Sequence, residues 1–188
     1  MRYTVPLFAF VLLSSAPVVA AEVVAVPRFQ AVQLVGGGIV TIVPGATQRV
    51  TIVEGSSQFT RVRVLPDGKL KIVACGDRCP KVYRLRIEIQ SPSVPDLAIS
   101  GGGSITAQGG FRSQSRLSAA VNGGGTIDAR AVDARTVSAA VNGGGEVRVR
   151  ARSNLSAAVN GGGLVRFWGS PSYVSRSVHG GGAVSPAS

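Results

Sequence analysis

Histidine, cysteine and aromatic side chains are scarce in this chain. Its 188 residues include one His, two Cys and one Trp, and aromatics make up 5%. One His and two Cys exclude a multi-histidine or multi-cysteine metal site built within a single chain. So few aromatics exclude a conventional core of large rings, so small and β-branched residues must fill the interior. Acids are also in short supply: 9 Asp and Glu face 20 Lys and Arg, for a formal charge of +11. No helical periodicity runs through residues 22–188, which argues against an α-fold. Gly is abundant, at 25 residues, yet has no three-residue period, which excludes collagen. With 45% of residues apolar, wholesale disorder is also excluded.

The first residues read as an export signal. Arg2 supplies a positive start, Val5–Leu13 an apolar stretch, and Val18-Val19-Ala20-Ala21 a small-residue exit. The apolar run is too short to span a bilayer. Residues 1–21 are therefore expected to be a cleaved signal peptide, leaving a mature chain of charge +10 in the periplasm or at the cell surface of a bacterium. In that oxidising setting Cys75 and Cys79, in Cys-Gly-Asp-Arg-Cys-Pro, are expected to form a local disulfide. A redox pair is the alternative, but three intervening residues and the lack of a βαβ pattern argue against it.

A repeat organises the second half. Gly triplets stand at 36–38, 101–103, 123–125, 143–145, 161–163 and 180–182. Three of them end the phrase Ser-Ala-Ala-Val-Asn-Gly-Gly-Gly, at 118–125, 138–145 and 156–163. Aligning these phrases puts Leu117, Val137 and Leu155 in one column. Ala119, Ala139 and Ala157 form a second, and Val121, Val141 and Val159 a third. Alternate positions on a strand share a face, so these columns face inward. After the triplet, Ile127, Val147 and Val165 form a further apolar column, with Asp128, Arg148 and Arg166 facing out. Each unit reads as strand, Gly turn, strand and irregular return. A period of about 20 residues is the mark of a solenoid. The fold expected is all-β: a right-handed parallel β-helix with turns of about 18–22 residues.

The residue before each triplet is Ser100, Asn122, Asn142, Asn160 or His179, and stacked amides there can bond along the stack as a ladder. His179 is read as a member of that ladder, not as a catalytic base. The triplets complete neither a phosphate-binding loop nor a calcium-binding nonapeptide and are read as corners. Residues 22–96 differ in layout. They hold longer alternating strands and a strong turn, Pro66-Asp67-Gly68-Lys69, and are read as the strand and hairpin part that begins the β-helix. Residues 97–188 carry the regular repeats, in one continuous domain with 22–96.

The order of motifs resembles a known family. Phe29 precedes a Gly triplet at 36, then come Val-Thr-Ile-Val-Glu-Gly at 50–55 and Asp-Gly-Lys-Leu-Lys-Ile at 67–72. Ser-Pro-Ser-Val-Pro-Asp-Leu-Ala-Ile-Ser-Gly-Gly-Gly follows at 91–103, then the Ala-Ala-Val-Asn-Gly-Gly-Gly turns. This resembles the "putative auto-transporter adhesin, head GIN" domain family of bacteria. The resemblance spans roughly residues 25–183. It implies a secreted or surface right-handed β-helix and no catalytic residues. A chain ending at Ser188, soon after its last repeat, is expected to act as a free module without its own membrane barrel.

The candidate chemistry is cationic. Arg148, Arg150 and Arg152 alternate on one outward face, and Arg166 follows in the same column as Arg148. Guanidinium groups suit phosphate and carboxylate. These four are the expected ligand contacts, with an anionic envelope polysaccharide or lipopolysaccharide as the partner. Nucleic acid and any cofactor or metal are not expected. A solvated face that keeps strand edges soluble is the alternative reading of the same arginines. Trp168 and Tyr173 are read as packing residues that could also offer a stacking surface. The function expected is an exported, non-enzymatic, adhesion-like envelope module. The alternatives are a polysaccharide-active enzyme, for which Asp128 and Asp133 are the only close acidic pair in the repeats, and a self-associating structural protein.

Overall fold

The structure is a computed structural model that describes residues 21–76 and 79–187. The expected signal peptide falls almost wholly on residues 1–20, outside the described residues. Among the described residues there are fifteen strands and no helix. The alternating N-terminal segments give β1 (Glu22–Val24), β2 (Ala31–Gly36), β3 (Ile39–Pro44) and β4 (Arg49–Glu54). After them come β5 (Arg61–Val64), β6 (Lys69–Val73), β7 (Arg86–Ser91), β8 (Asp96–Gly101) and β9 (Ser104–Ala107). The repeats form β10 (Gln114–Gly123), β11 (Thr126–Gly143), β12 (Glu146–Asn160) and β13 (Leu164–Trp168). The chain closes with β14 (Tyr173–His179) and β15 (Ala183–Pro186).

All fifteen join one mixed sheet. Its main path runs β1-β4-β7-β3-β9-β11-β10-β8-β2-β6-β5 and folds back at β11, so eleven strands form a nearly closed barrel around a shared core. β12, β13, β14 and β15 extend the sheet beyond β11. Within the repeats the columns lie in parallel register. Leu117 pairs with Val137 and Val137 with Leu155, and Val121, Val141 and Val159 follow suit. All of these residues are buried.

The right-handed parallel β-helix expected from the repeats is not the fold. Three strand pairs are antiparallel: β1 with β4, β4 with β7, and β5 with β6. The reason lies in the connections. The turn at Pro66–Gly68 is tight, with Gly68 at φ 76° and its N–H donated to Leu65 O, and a tight turn can join only antiparallel neighbours. β4 likewise runs against β7, which lies between it and β3. A chain whose strands reverse direction in this way cannot wind in one sense throughout. The expected irregular return is also absent from the central units. β11 runs unbroken for 18 residues, passing from the β9 side of the barrel to the β10 side with register shifts between Ala129 and Thr136. Such irregularities bend a strand without ending it.

One hydrophobic core runs from Phe29 to Phe167. It is almost wholly Val, Ile, Leu and Ala, as the scarcity of aromatics requires. β2, from the N-terminal part, sits between β6 and β8 with Leu34 opposite Ile99 and Ile72, so both halves contribute to the same interior. The Gly triplets are the corners that join the β10 side to the β9 side. At Gly145 an added Cβ would lie 2.5 Å from Gly125 O and 2.5 Å from Val121 Cγ1, so only Gly lets the stacked corners approach this closely.

Candidate ligand-binding face

The arginine column lies where the register puts it. Asp128, Arg148 and Arg166 are partners across β11, β12 and β13, between buried positions, and so face outward. Arg150 lies two residues further on, opposite Trp168, and Arg152 lies where the register between β11 and β12 shifts. The structure therefore brings the four arginines to one face. It also places all three acids of the second half among them.

Arg148 grips Glu146 with both arms, donating Nε–H to Oε1 at 2.9 Å and Nη2–H to Oε2 at 2.7 Å. Its Nη1 lies 3.7 Å from Asp128 Oδ2, and Arg166 Nε lies 3.4 Å from Glu146 Oε1. Arg152 donates to Asp133 Oδ2 at 2.6 Å, and Arg150 Nε lies 3.8 Å from Asp133 Oδ1 while donating to Arg130 O. Arg130, absent from the expected set, pairs with Asp128 at 3.2 Å and lies over the Trp168 ring, 5.5 Å from its centroid. Five guanidiniums thus share three carboxylates, which leaves a face of alternating charge with an excess of two positive charges. A shallow depression of about 350 Å³ on this face is lined by Asp133, Arg150, Arg152, Gly169 and Ser170.

Residue spacing explains this lattice. Glu146 and Arg148 are two apart on a strand and share a face. Asp128 and Arg148 are cross-strand partners, within reach of long side chains. The hydrogen bond from Arg148 holds the Glu146 carboxyl below its ordinary value, and the one from Arg152 does the same for Asp133. Glu146 in turn helps hold the proton on Arg148. A carboxyl whose folded pKa is depressed contributes stability that is fully present above its ordinary value, 4.5 for Glu146, and is lost as pH falls through the depressed value. The melting temperature is therefore expected to drop between about pH 5 and pH 3. E146Q is expected to melt lower at neutral pH and to show a shallower acid slope. An unchanged slope in thermal melts of E146Q would show that the pair contributes nothing.

The other expected residues are placed as follows. Ser100, Asn122, Asn142, Asn160 and His179 lie in one row across β8, β10, β11, β12 and β14. Within it Asn160 donates Nδ2–H to Asn142 Oδ1 at 2.9 Å, while Ser100 Oγ accepts from Gln33 Nε2. Cys75 and Cys79 are disulfide-bonded, with Cα atoms 5.9 Å apart. Asp128 and Asp133 are each held by arginines and do not stand alone as a pair of acids. Trp168 is half-buried beneath Arg130, whereas Tyr173 is 64% exposed on β14. Among the described residues no group of three or more His, Cys, Asp or Glu could hold a metal ion, and no helix is long and apolar enough to cross a membrane.

The fold and this charged face define an all-β module whose most regular strands carry seven arginines. Residues 113–171, which span β10 to β13, match the family described as "Putative auto-transporter adhesin, head GIN domain". Among solved structures, a "putative adhesin" from Bacteroides fragilis is 18% identical, with 89% of this chain and 96% of that one covered at a TM-score of 0.51. That likeness concerns the fold. A "putative lipid binding protein" from Parabacteroides distasonis is 16% identical, with 90% and 96% covered and a TM-score of 0.40. A "putative adhesin" from Parabacteroides merdae is 16% identical over the same shares, at 0.36. No curated protein matches the chain.

Proposed function

We propose that this protein is an exported, non-enzymatic, adhesion-like module of the bacterial cell envelope that presents a rigid basic β-surface to an anionic polymer. The observation that carries this reading is a coincidence of place. The segment that matches the adhesin-head family, 113–171, is the one whose parallel strands display seven arginines against three acids. The B. fragilis protein with a similar fold is also named as an adhesin, which supports the same reading. Export is supported by the signal-like first residues. Acidic polysaccharide and lipopolysaccharide are the anionic polymers of that compartment, and a stiff sheet binds them without losing conformational entropy of its own.

Purified protein is expected to bind polygalacturonate or lipopolysaccharide saturably at about 50 mM salt and to keep measurable binding at about 500 mM, where purely long-range attraction is screened. Biolayer interferometry with immobilised polymer reads this directly. Binding that disappears at the higher salt, or never appears, would overturn the reading and leave the charge as a solvated face.

A further inference from the structure

The arginines of the charged face are tied to carboxylates, whereas Arg116 and Arg135 are not. Arg116 on β10 and Arg135 on β11 are exposed and flank a shallow depression of about 400 Å³, together with Ser115, Thr136 and Asn154. No acid lines it. Among the described residues, no ion pair or hydrogen bond engages the side chains of these five, although the Arg116 backbone oxygen accepts from Gln114 Nε2 at 2.7 Å. The contrast with the face around Glu146 is therefore one of availability: there the guanidinium N–H groups already have acceptors, and here they point at solvent.

The register gives the site a direction. Arg116, Thr136, Asn154 and Tyr173 are successive partners across β10, β11, β12 and β14. Each directly precedes an inward-facing residue of one column (Leu117, Val137, Leu155, Val174), so all four face outward. At ordinary strand spacing the row is about 14 Å long. It begins with the Arg116 guanidinium, with Arg135 across the same depression, continues with a hydroxyl and an amide, and ends on an exposed phenol ring. A polar chain that bears carboxylate or sulfate groups, many hydroxyls and a flat C–H ring face matches that order. A nucleic acid strand would call for several stacking rings in succession, and the row has one.

We infer that this row is a binding site for an acidic saccharide, with Arg116 and Arg135 taking its oxyanion, Thr136 and Asn154 its hydroxyls, and Tyr173 stacking on a sugar ring. The inference rests on the anionic-polymer reading above and assigns its point of contact. It moves that contact away from Arg148, Arg150, Arg152 and Arg166 to the opposite side of the β11 bend.

Two measurements on the full chain test it. In the first, the arginine Nε–Hε signals are followed by NMR during titration with sodium sulfate. Saturable shifts confined to Arg116 and Arg135 are expected. In the second, binding of polygalacturonate, dextran sulfate, neutral dextran and single-stranded DNA is compared at about 0.15 M salt. R116A/R135A is expected to weaken polygalacturonate binding about tenfold or more, and Y173A about tenfold. R116K/R135K, which keeps the charge but not the planar fork, is expected to recover only part of it. Neutral dextran is expected not to bind. Sulfate shifts without polymer binding would keep the site and remove the polymer reading. Polymer binding lost in R148A/R150A but kept in R116A/R135A would overturn the site and keep the reading. DNA binding as tight as polygalacturonate binding, and equally dependent on Arg116 and Arg135, would overturn the saccharide assignment. Absence of both sulfate shifts and polymer binding would overturn both.

Discussion

Gly143→Ala is expected to destabilise the protein by about 3 kcal/mol, while Gly144→Ala, one residue later, is expected to stay within about 0.5 kcal/mol of the parent. The two glycines sit in the same corner but under different constraints. Gly143 has φ 114°, where a side chain is strained, and its added Cβ would lie 2.7 Å from the backbone oxygen of Gly123 in the corner before. That oxygen cannot retreat, because it accepts the Gly144 N–H at 3.1 Å and so holds the corners together. Gly144 has open space around its Cβ position and no left-handed φ. Replacing it with Ala also narrows the unfolded ensemble, which favours the folded state slightly. Urea unfolding midpoints at constant slope give both numbers. Equal losses at the two sites would mean that stacking of corners is not the constraint.

Leu155→Ala is the second large effect, at about 3 kcal/mol. Leu155 is fully buried and pairs with Val137 on one side and Val174 on the other. The nearby columns are Val and Ala, whose short, stiff side chains cannot swing in to fill the space left by an isobutyl group. The cavity should persist, so its cost adds to that of the lost burial. Val137→Ala, in the same column but flanked by Leu117 and Leu155, removes less volume and is expected to cost about half as much. Calorimetric or chemical unfolding of the pair separates them. A loss under about 1 kcal/mol at Leu155 would show that the end of the stack relaxes onto the gap.

What the sequence made legible was whatever repeats. The Leu117, Ala119, Val121 and Ile127 columns could be aligned from the chain alone because identical residues recur at fixed offsets, and their burial follows from alternation. Strand direction was not legible in the first half. The pattern Val50, Ile52 against Ile87, Ile89 shows that both segments are strands with one inward face, but period two is the same whichever way a strand runs. The antiparallel pairing of β4 with β7 depends on which neighbour is met in space, and the repeats misled by suggesting one sense throughout. The pairing of Arg148 with Asp128 was available in principle, since both were placed in one outward column. Cross-strand neighbours of opposite sign neutralise each other before any ligand arrives. Arg116 and Arg135 were hidden for a different reason. They stand one residue out of column, just ahead of the aligned phrase, where the register shifts between Ala134 and Thr136.

The identical phrases in β10, β11 and β12 make neighbouring units nearly interchangeable. Each presents the same Leu or Val, Ala and Val set to the interior and the same Asn and Gly set to the corner. Unequal recombination between the matching gene segments would insert or delete about 20 residues and add or remove one strand on each side of the core. The new unit would find its own side chains above and below it and meet no mismatched partner. Unit number is thus a variable that inheritance can change in single steps, lengthening or shortening the outward rows while leaving both ends of the protein intact.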